Sequence, residues 1–213
     1  MAPRGRPRAF DREKALDAAT ELFWRQGYSA TSMADLCGAM GINAPSLYAA
    51  FGSKEELYAA AIAHFSRTAS PDIWGGLDAA PTAYAAFEGV LLGSARTLPG
   101  IGHPPGCMVT LSAVGQECGG RLGSLVADAR QESVHLLSQR LERAIAAGEL
   151  PAGLDVAAIA RFYTCVQQGM SIQARDGAGF AELEAVARAA LAAWPALTAP
   201  AAPPHRQGER ESR

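Results

Sequence analysis

Residues 31 to 57 carry three helix-start signals in a short stretch, and this feature constrains the fold more than any other. The side chains of Ser32, Asn43 and Ser53 are of the kind that accept hydrogen bonds from the free N–H groups at a helix N-terminus. Gly41 lies between the first two and can adopt the left-handed backbone conformation that a tight reversal requires. The pattern predicts a short helix, a glycine turn and a second short helix, with a longer helix beginning after Ser53.

The rest of the chain also follows helical spacing. Alanine is abundant, runs of β-branched residues are absent, and apolar residues recur at helical intervals. An opening helix begins with Asp11 as its N-cap and stops at Gly27. We therefore predict an all-α fold, with further helices at 53–68, 81–97, 104–116, 119–148, 155–175 and 180–194.

A segment rich in proline and glycine, SPDIWGGLDAAP, interrupts the helical pattern and places a domain boundary near residue 70. Arg4, Arg6 and Arg8 lie in the first ten residues without an acid among them, and the C-terminal residues are rich in Pro and Ala and then polar. A tail of that composition buries too little apolar surface to offset the entropy of ordering. The predicted parts are a flexible basic arm at 1–10, an N-terminal domain at 11–69, a C-terminal domain at 70–195 and a disordered tail at 196–213.

Composition limits the functions that remain open. The chain has 213 residues, 49% of them hydrophobic, and a formal net charge of -2, so a nucleic-acid site has to be a local basic patch. The four cysteines form no CxxC pair, and we expect no metal site, no cofactor and a reducing, cytoplasmic location. No window approaches the roughly 20 apolar residues of a membrane span, and no membrane partner is expected.

The second short helix has the composition of a DNA recognition helix. Small outward side chains let a helix backbone approach the major groove, and a few polar tips then contact bases or phosphates. Leu47 and Phe51, on the opposite side of the same helix, are predicted to anchor it to the core. The predicted outward, DNA-contacting residues are Asn43, Ala44, Pro45, Ser46 and Tyr48.

Further phosphate contacts are predicted at the flanking helix N-termini and from the arm. Lys54 lies in the first turn of its helix, where free N–H groups and the positive end of the helix dipole already favour an anion. Thr31 and Ser32 begin the preceding short helix and offer a second seat of this kind. The arginines of the arm can follow the DNA backbone or enter the minor groove.

The run TSMADLCGAMGINAPSLYAAFGSKEELYAAAI resembles the helix-turn-helix signature of the tetracycline-repressor (TetR) family of bacterial transcription regulators, and the resemblance extends from residue 11 to about 65. It implies a homodimer of two-domain, all-helical subunits whose N-terminal helices bind half of a palindromic operator. It also implies a C-terminal domain that binds a small-molecule effector and forms the dimer. On this reading Ser46, Leu47 and Tyr48 lie on the recognition helix, and Lys54 lies in the phosphate-contacting turn.

The same resemblance suggests roles for C-terminal residues. The last two helices resemble the dimerisation hairpin of the family, and their apolar stripes supply the candidates for the interface: Ile159, Val166, Met170, Leu183, Val186, Ala190 and Leu191. Aromatic, sulfur-containing and amide side chains supply candidates for an apolar effector pocket: Trp74, Phe87, Cys107, Met108, Phe162, Tyr163 and Gln167. The sequence names neither the operator nor the effector.

Other functions remain open at this stage. Cys107 follows HPPG and has His103 nearby, so the same DNA-binding head is a candidate for switching by thiol oxidation or alkylation. An enzyme using these two residues as nucleophile and base lacks an orienting third group and an oxyanion motif, and we expect no enzymatic activity. A helical adaptor without affinity for DNA is the remaining alternative, and it predicts no salt-sensitive binding.

Overall fold

The computed structural model describes residues 11–112 and 120–200, and within them the fold is all-α, as predicted. The basic arm with Arg4, Arg6 and Arg8, the segment 113–119 with Cys118, and residues 201–213 lie outside the described residues. The helices are α1 (Arg12–Gln26), α2 (Met33–Met40), α3 (Ala44–Phe51), α4 (Lys54–Thr68), α5 (Pro71–Trp74), α6 (Ala83–Thr97), α7 (Gly120–Ala146), α8 (Val156–Arg175), α9 (Phe180–Ala192) and α10 (Trp194–Leu197).

Helices α1 to α4 form an N-terminal bundle, which we call the head. Its helices begin at the residues that the sequence indicates, because Asp11, Ser32, Asn43 and Ser53 each accept a hydrogen bond from a backbone N–H in the first turn. Helices α1 and α4 pack along each other, with α2 and α3 completing the bundle. The core between them contains Phe23 and large side chains of every other head helix, namely Leu36, Leu47, Leu57, Tyr58 and Phe65.

The turn between α2 and α3 has the predicted geometry. Gly41 adopts φ 67° and ψ 29°, and its N–H donates to the carbonyls of Cys37 and Gly38 in the last turn of α2. Asn43 then caps α3 through a bond from the Ser46 N–H to Asn43 Oδ1 at 2.9 Å. Two buried side chains on one side of α3, Leu47 and Phe51, hold this helix against the head.

Helices α5 to α10 form the remaining part, which we call the body. Its core is a second cluster, in which Phe87 of α6, Tyr163 of α8 and Trp194 of α10 contact one another through their rings. Helix α7 spans both clusters, since Leu122 and Val126 pack in the head cluster and Leu137 in the body cluster. Head and body are therefore joined by apolar packing along α7.

One predicted helix is absent where the structure can test it. Residues 104–112 form turns instead of the first part of the helix expected at 104–116. Pro104 and Pro105 supply no N–H for a helix, and Gly106 has φ +77°, which is outside the helical region. A Cβ at Gly106 would also lie 2.8 Å from the Ser171 carbonyl oxygen, so this glycine permits a close approach to α8.

Two single-turn helices also differ from the expectations. The segment 71–74, which the sequence indicates as a break, forms the turn of α5 and packs on α6. At the other end, α10 continues as far as Leu197, beyond the predicted start of the disordered tail at residue 196. Trp194 explains the extension, because its buried ring anchors this turn in the body core. None of the helices in the described ranges is both long and apolar enough to cross a membrane.

Candidate nucleic-acid interface and adjoining cavity

Helix α3 presents a polar and small-residue surface on the side opposite its buried anchors. Tyr48 is 53% exposed, while Leu47 beside it is fully buried. Asn43, Ala44 and Pro45 are exposed at the helix N-terminus. Because the Asn43 Oδ1 is used in capping, only its amide NH2 group is free to donate outward. The surface has the small profile and the hydrogen-bonding tips that reading a DNA groove requires.

Two cations flank this helix, and each is held over an aromatic ring. The Lys54 Nζ lies 4.2 Å from the centroid of the Tyr28 ring, at the N-terminus of α4. The Arg12 guanidinium carbon lies 4.7 Å from the centroid of the Phe51 ring, at the C-terminal end of α3. Cation–π contacts restrict long side chains that are otherwise mobile. Arg12 is a candidate that the sequence reasoning missed, although its position beside the basic arm was the available signal.

The hydroxyl groups of Thr31 and Ser32, which were predicted to contact a phosphate, are both engaged within the head. Thr31 is fully buried, and its hydroxyl donates to the Gly27 carbonyl at 2.7 Å, so it is not available to a phosphate. Ser32 is exposed, but its hydroxyl is occupied in the capping box with Asp35, donating to Oδ2 at 2.6 Å. A phosphate-binding site at the N-terminus of α2 would therefore consist of backbone N–H groups rather than side-chain hydroxyls.

The carboxylates of the two capping boxes in the head, Asp35 and Glu56, have lowered pKa values. The Ser32 hydroxyl and then the Ser32 backbone N–H stabilise the charged form of Asp35, which lowers the pKa of its carboxyl. In α4, the Ser53 backbone N–H and then its hydroxyl lower the pKa of Glu56 in the same way. The charged forms of these acids thus help to fix the first turns of α2 and α4.

A cavity lies behind the head, where α4, α5, α7 and the segment 103–109 meet. Its outer chamber has a volume of about 350 Å³ and its walls are mainly apolar. A recess of about 20 Å³ continues inward and shares four wall residues with the chamber, namely Phe65, Ser70, Trp74 and Cys107. The recess is further lined by Trp24 of α1, by Gln167 of α8, and by Leu98 and His103, which follow α6.

The inner end of the cavity carries hydrogen-bonding groups. Gln167 is 3% exposed and lines the recess, and its side-chain amide forms no hydrogen bond with the described residues, 11–112 and 120–200. The His103 Nδ1 donates to the Pro104 carbonyl at 2.9 Å, so in the neutral ring Nε2 is the acceptor. Glu132, which is exposed, is the one charged side chain among the described residues of the two linings.

The structure brings three of the seven predicted pocket residues together in this cavity: Trp74, Cys107 and Gln167. The other four lie elsewhere. Phe87 and Tyr163 are fully buried in the body core, Phe162 is 38% exposed on the outer face of α8, and Met108 packs in the head cluster. Burial raises the pKa of the Tyr163 phenol to about 12. These four were predicted from residue type, which does not distinguish a cavity wall from a core.

Most of the predicted dimer residues are covered by their own chain. Val166 is partly buried and Val186 is 40% exposed, whereas the other five pack in the body core: Ile159, Met170, Leu183, Ala190 and Leu191. Other large apolar side chains of α8 and α9 are exposed, with Phe162 at 38%, Ile172 at 51% and Phe180 at 46%. No group of three or more His, Cys, Asp or Glu residues in the described ranges is arranged to hold a metal ion.

Comparison with known proteins agrees with this architecture. Residues 15–61 match the sequence profile described as "Bacterial regulatory proteins, tetR family". The chain is 37% identical over 203 residues to the HTH-type transcriptional repressor ComR of Escherichia coli, which covers 91% of this chain and 93% of that protein. It is 41% identical over 106 residues to the HTH-type transcriptional repressor BdcR of the same species, across 49% of this chain and 53% of that one.

Among solved structures, a cysteine mutant of the TetR family regulator CifR is similar in both sequence and fold. That protein was solved in complex with a 26-bp double-strand operator DNA. It is 39% identical to this chain with a TM-score of 0.82, over 89% of this chain and 100% of that one. Helix-turn-helix geometry, family profile and relatives agree, and this chain belongs to the TetR family of DNA-binding transcriptional regulators.

Proposed function

We propose that the protein is a homodimeric repressor that leaves a palindromic operator when a small apolar effector enters the cavity behind the head. The observation that supports DNA binding is the shape and composition of the exposed surface of α3. This helix exposes Tyr48 above a fully buried Leu47 and is flanked by Arg12 and Lys54. A helix of this shape fits the major groove, and flanking cations fit the phosphates on either side.

Operator recognition uses two kinds of contact, one with base edges and one with phosphates. The N-cap Asn43 and the α3 residues Ala44, Pro45, Ser46 and Tyr48 face base edges, and the small side chains among them let the helix enter the groove. Arg12, Lys54 and the backbone N–H groups that begin α2 and α4 bind phosphates. The predicted arm, with Arg4, Arg6 and Arg8, adds contacts in the minor groove or along the backbone.

The homodimer forms through the exposed apolar face of the last two long helices. Phe162 and Ile172 of α8 and Val186 of α9 are large apolar side chains that the subunit leaves exposed. A second copy covers such a face with the same face, as in an isologous interface. The symmetry then places two α3 helices about 34–36 Å apart, in successive major grooves of a palindromic site.

The effector that suits the cavity is a small, uncharged molecule with one hydrogen-bonding group. A chamber of about 350 Å³ lies within the size range of ligand sites, and its walls include Phe65, Trp74 and Leu136. Gln167 supplies an amide at the inner end without a partner among the described residues, which a ligand carbonyl or hydroxyl satisfies. An anion finds no cationic side chain in the described linings.

The first experiment measures binding of the full-length protein to the DNA upstream of its own coding sequence and to unrelated DNA of equal length. A specific complex with a steep salt dependence is expected. Tyr48→Phe removes only the hydroxyl on α3 and is expected to weaken specific binding. Tyr84→Phe removes the hydroxyl of another partly exposed tyrosine, on α6 in the body, and is the matched control. Absence of binding to either DNA at low salt would favour the helical adaptor instead.

Dimerisation is tested by sedimentation of Ile172→Glu, which places a charge on the exposed face of α8. The variant is expected to be monomeric at concentrations where the parent protein is dimeric, and to lose most of its operator affinity. Glu142→Gln, at an exposed position of α7, changes the charge and is expected to leave the oligomer unchanged. A dimeric Ile172→Glu protein would assign the interface to another surface.

The effector site is tested with a matched pair of probes, acetophenone and benzoate, titrated against tryptophan fluorescence. Trp24 and Trp74 line the cavity and act as reporters, whereas Trp194 lies in the body core. The neutral ketone is expected to change the emission and to bind more tightly than the carboxylate. Gln167→Leu is expected to remove the preference for the ketone over ethylbenzene, which lacks the carbonyl. Equal binding of ketone and carboxylate would contradict the assigned ligand class.

Switching by the Cys107 thiol is a second candidate, because one observation favours it. Cys107 lies where chamber and recess meet, and His103 lines the same recess with Nε2 as an acceptor. A thiol in the cavity wall is open to attack by an electrophile that enters the chamber, and an imidazole is the type of side chain that serves as a base for a thiol. Cys107→Ser separates the two mechanisms, since it abolishes release by an alkylating agent and leaves release by a neutral, unreactive ligand intact.

A further inference from the structure

Arg175, the last residue of α8, reaches across from the body to the end of α1 in the head. Its Nη2 donates to the Trp24 carbonyl at 2.9 Å and its Nη1 to the Arg25 carbonyl at 3.2 Å. These carbonyls belong to the last turn of α1, where no further helical N–H is available to them. The cationic side chain also complements the negative end of the α1 dipole. Arg175 is therefore a C-terminal cap supplied by a distant helix.

The same guanidinium also holds the segment that follows α6. The Arg175 Nε donates to the Pro105 carbonyl at 2.9 Å, and the Trp24 indole N–H donates to the Gly106 carbonyl at 3.0 Å. The His103 ring stacks on the Trp24 ring, with centroids 4.9 Å apart. One end of α1 is thus tied to residues 103–106 through a single arginine and a single tryptophan.

Residues 103–107 also form a wall of the cavity. His103, Gly106 and Cys107 line the recess, together with Trp24 itself. The Cys107 N–H donates to the Ser171 hydroxyl at 2.7 Å, one helical turn before Arg175 on α8. Residues 103–107 are therefore both a wall of the recess and the segment that Arg175 and Trp24 hold against α1.

We propose that Arg175 is the positioning residue that couples occupancy of the cavity to the orientation of α1, and through α1 to the recognition helix. The proposal rests on the ligand response stated under Proposed function. In the empty state the guanidinium holds the end of α1 and residue 105 in one arrangement. Displacement of 103–107 separates the carbonyls that it bridges, and the head then pivots away from the operator-binding orientation.

An arginine suits this position for reasons of geometry. Its planar fork has five N–H donors in fixed directions and can bridge carbonyls from two chain segments at once. A lysine presents one compact charge and has no comparable fork. Burial lowers the pKa of Arg175 from its ordinary value, yet an arginine remains charged near neutral pH. The three bonds are therefore charge-assisted, which makes them stronger than neutral ones.

The test fills the cavity covalently, so that no natural effector is needed. In a background where the other cysteines are replaced (C37S, C118S and C165S), N-ethylmaleimide alkylates Cys107 alone. The thiol adds across the maleimide double bond, and its proton passes to the ring carbon, so no oxidant takes part. Operator affinity is measured before and after alkylation in three proteins: the background itself, Arg175→Met and Arg188→Met. Arg188 is an exposed arginine of α9, paired with Glu184, and controls for loss of a charge.

Alkylation is expected to weaken operator binding by at least about fivefold in the background and in Arg188→Met, which is the lower end of ordinary allosteric coupling. In Arg175→Met the ratio of operator affinities before and after alkylation is expected to fall below about twofold. The ratio for Arg175→Lys is expected to lie between those of Arg175→Met and the background. A ratio in Arg175→Met equal to that of the background would overturn the proposal, because a purely stabilising residue leaves the ratio unchanged.

A measurement that needs no DNA tests the coupling through Arg175 separately from operator binding. Hydrogen exchange is followed at the end of α1, where the Gly27 N–H donates to the Phe23 carbonyl at 2.8 Å. Alkylation is expected to accelerate exchange there in the background protein and to leave the middle of α1 unchanged. If the end of α1 does not respond, the coupling is wrong even when operator binding is intact. If it responds and no DNA is bound, the coupling stands and the operator assignment fails.

Discussion

The Lys54→Met substitution gives a quantitative test of how the head contacts DNA. Lys54 begins α4, and its ammonium group lies over the Tyr28 ring, which also contacts the Tyr58 ring at 5.1 Å. No carboxylate in the described ranges forms a salt bridge with Lys54. The charge is thus held in place and available to a phosphate. Methionine keeps much of the side-chain length and removes the charge.

The expected magnitude follows from counterion release. Each phosphate neutralised contributes about 0.9 to the slope of log K against log salt, so a dimer that loses two such contacts loses about 1.8. Across a fourfold change of salt concentration, the binding constant of Lys54→Met therefore changes about twelvefold less than that of the parent protein. The lost cation–π contact costs only about 0.5–1 kcal/mol of folding free energy, and the head remains folded.

The assay is a titration of operator DNA at several salt concentrations, with the parent protein and Arg188→Met as references. Arg188 lies on α9, away from α3, and its removal is expected to leave the slope unchanged. Circular dichroism establishes that the variants are equally helical. An unaltered slope in Lys54→Met, with weaker binding at every salt concentration, would refute the phosphate contact and leave Lys54 a structural role over Tyr28.

Three further predictions concern the stability of the subunit. Gly52→Ala is expected to destabilise the protein by at least about 1 kcal/mol, because φ is +75° and the new Cβ would collide with the Glu56 carboxylate. Gly38→Ala, inside α2, places its Cβ where no atom lies within 4 Å and is expected to stabilise the protein by about 0.5–1 kcal/mol. Thermal unfolding in which both substitutions shift stability in the same direction would contradict the turn geometry. The pKa values of Asp35 and Glu56 are lowered in the folded head. The stability that these two acids contribute is therefore present above their ordinary pKa values of 3.8 and 4.5 and is lost as the pH falls below those values. Thermal midpoints recorded at a series of acid pH values, for the parent protein and for Ser53→Ala, measure this loss. Thr164→Val removes a buried hydroxyl that has no partner in the described ranges and is expected to leave stability unchanged or raise it by up to about 1 kcal/mol; a loss in denaturant unfolding would show that the hydroxyl is satisfied in solution.

The head was predictable from sequence because its signals are local. A capping bond joins residues three apart, as between Ser53 and Glu56, and a glycine turn depends on one backbone position. The burial of Leu47 beneath an exposed Tyr48 likewise follows from spacing on one short helix. The role of Thr31 was not visible, because the same hydroxyl suits a phosphate and the Gly27 carbonyl that it binds.

The cavity was predictable only as a list of residue types. Trp74, Cys107 and Gln167 come from three separate parts of the chain, and contacts between distant segments bring them together. The link from Arg175 to Trp24 spans 151 residues in sequence, and nothing in the local pattern around either residue indicates it. The helix predicted at 104–116 would also have hidden this wall, since the turns that the structure has in its place supply His103 and Gly106 to the recess.

The sequence by itself determined the helical class, the limits of the head helices and the helix-turn-helix family, because caps, turns and helical periodicity act over a few residues. Only the tertiary structure decided which apolar side of α8 is core and which is surface. This helix is apolar on both sides, with Tyr163 and Met170 facing inward and Phe162 and Ile172 facing outward. Large apolar residues thus occur on both sides, and the packing of α6, α7 and α9 against the inward side leaves Phe162 and Ile172 exposed.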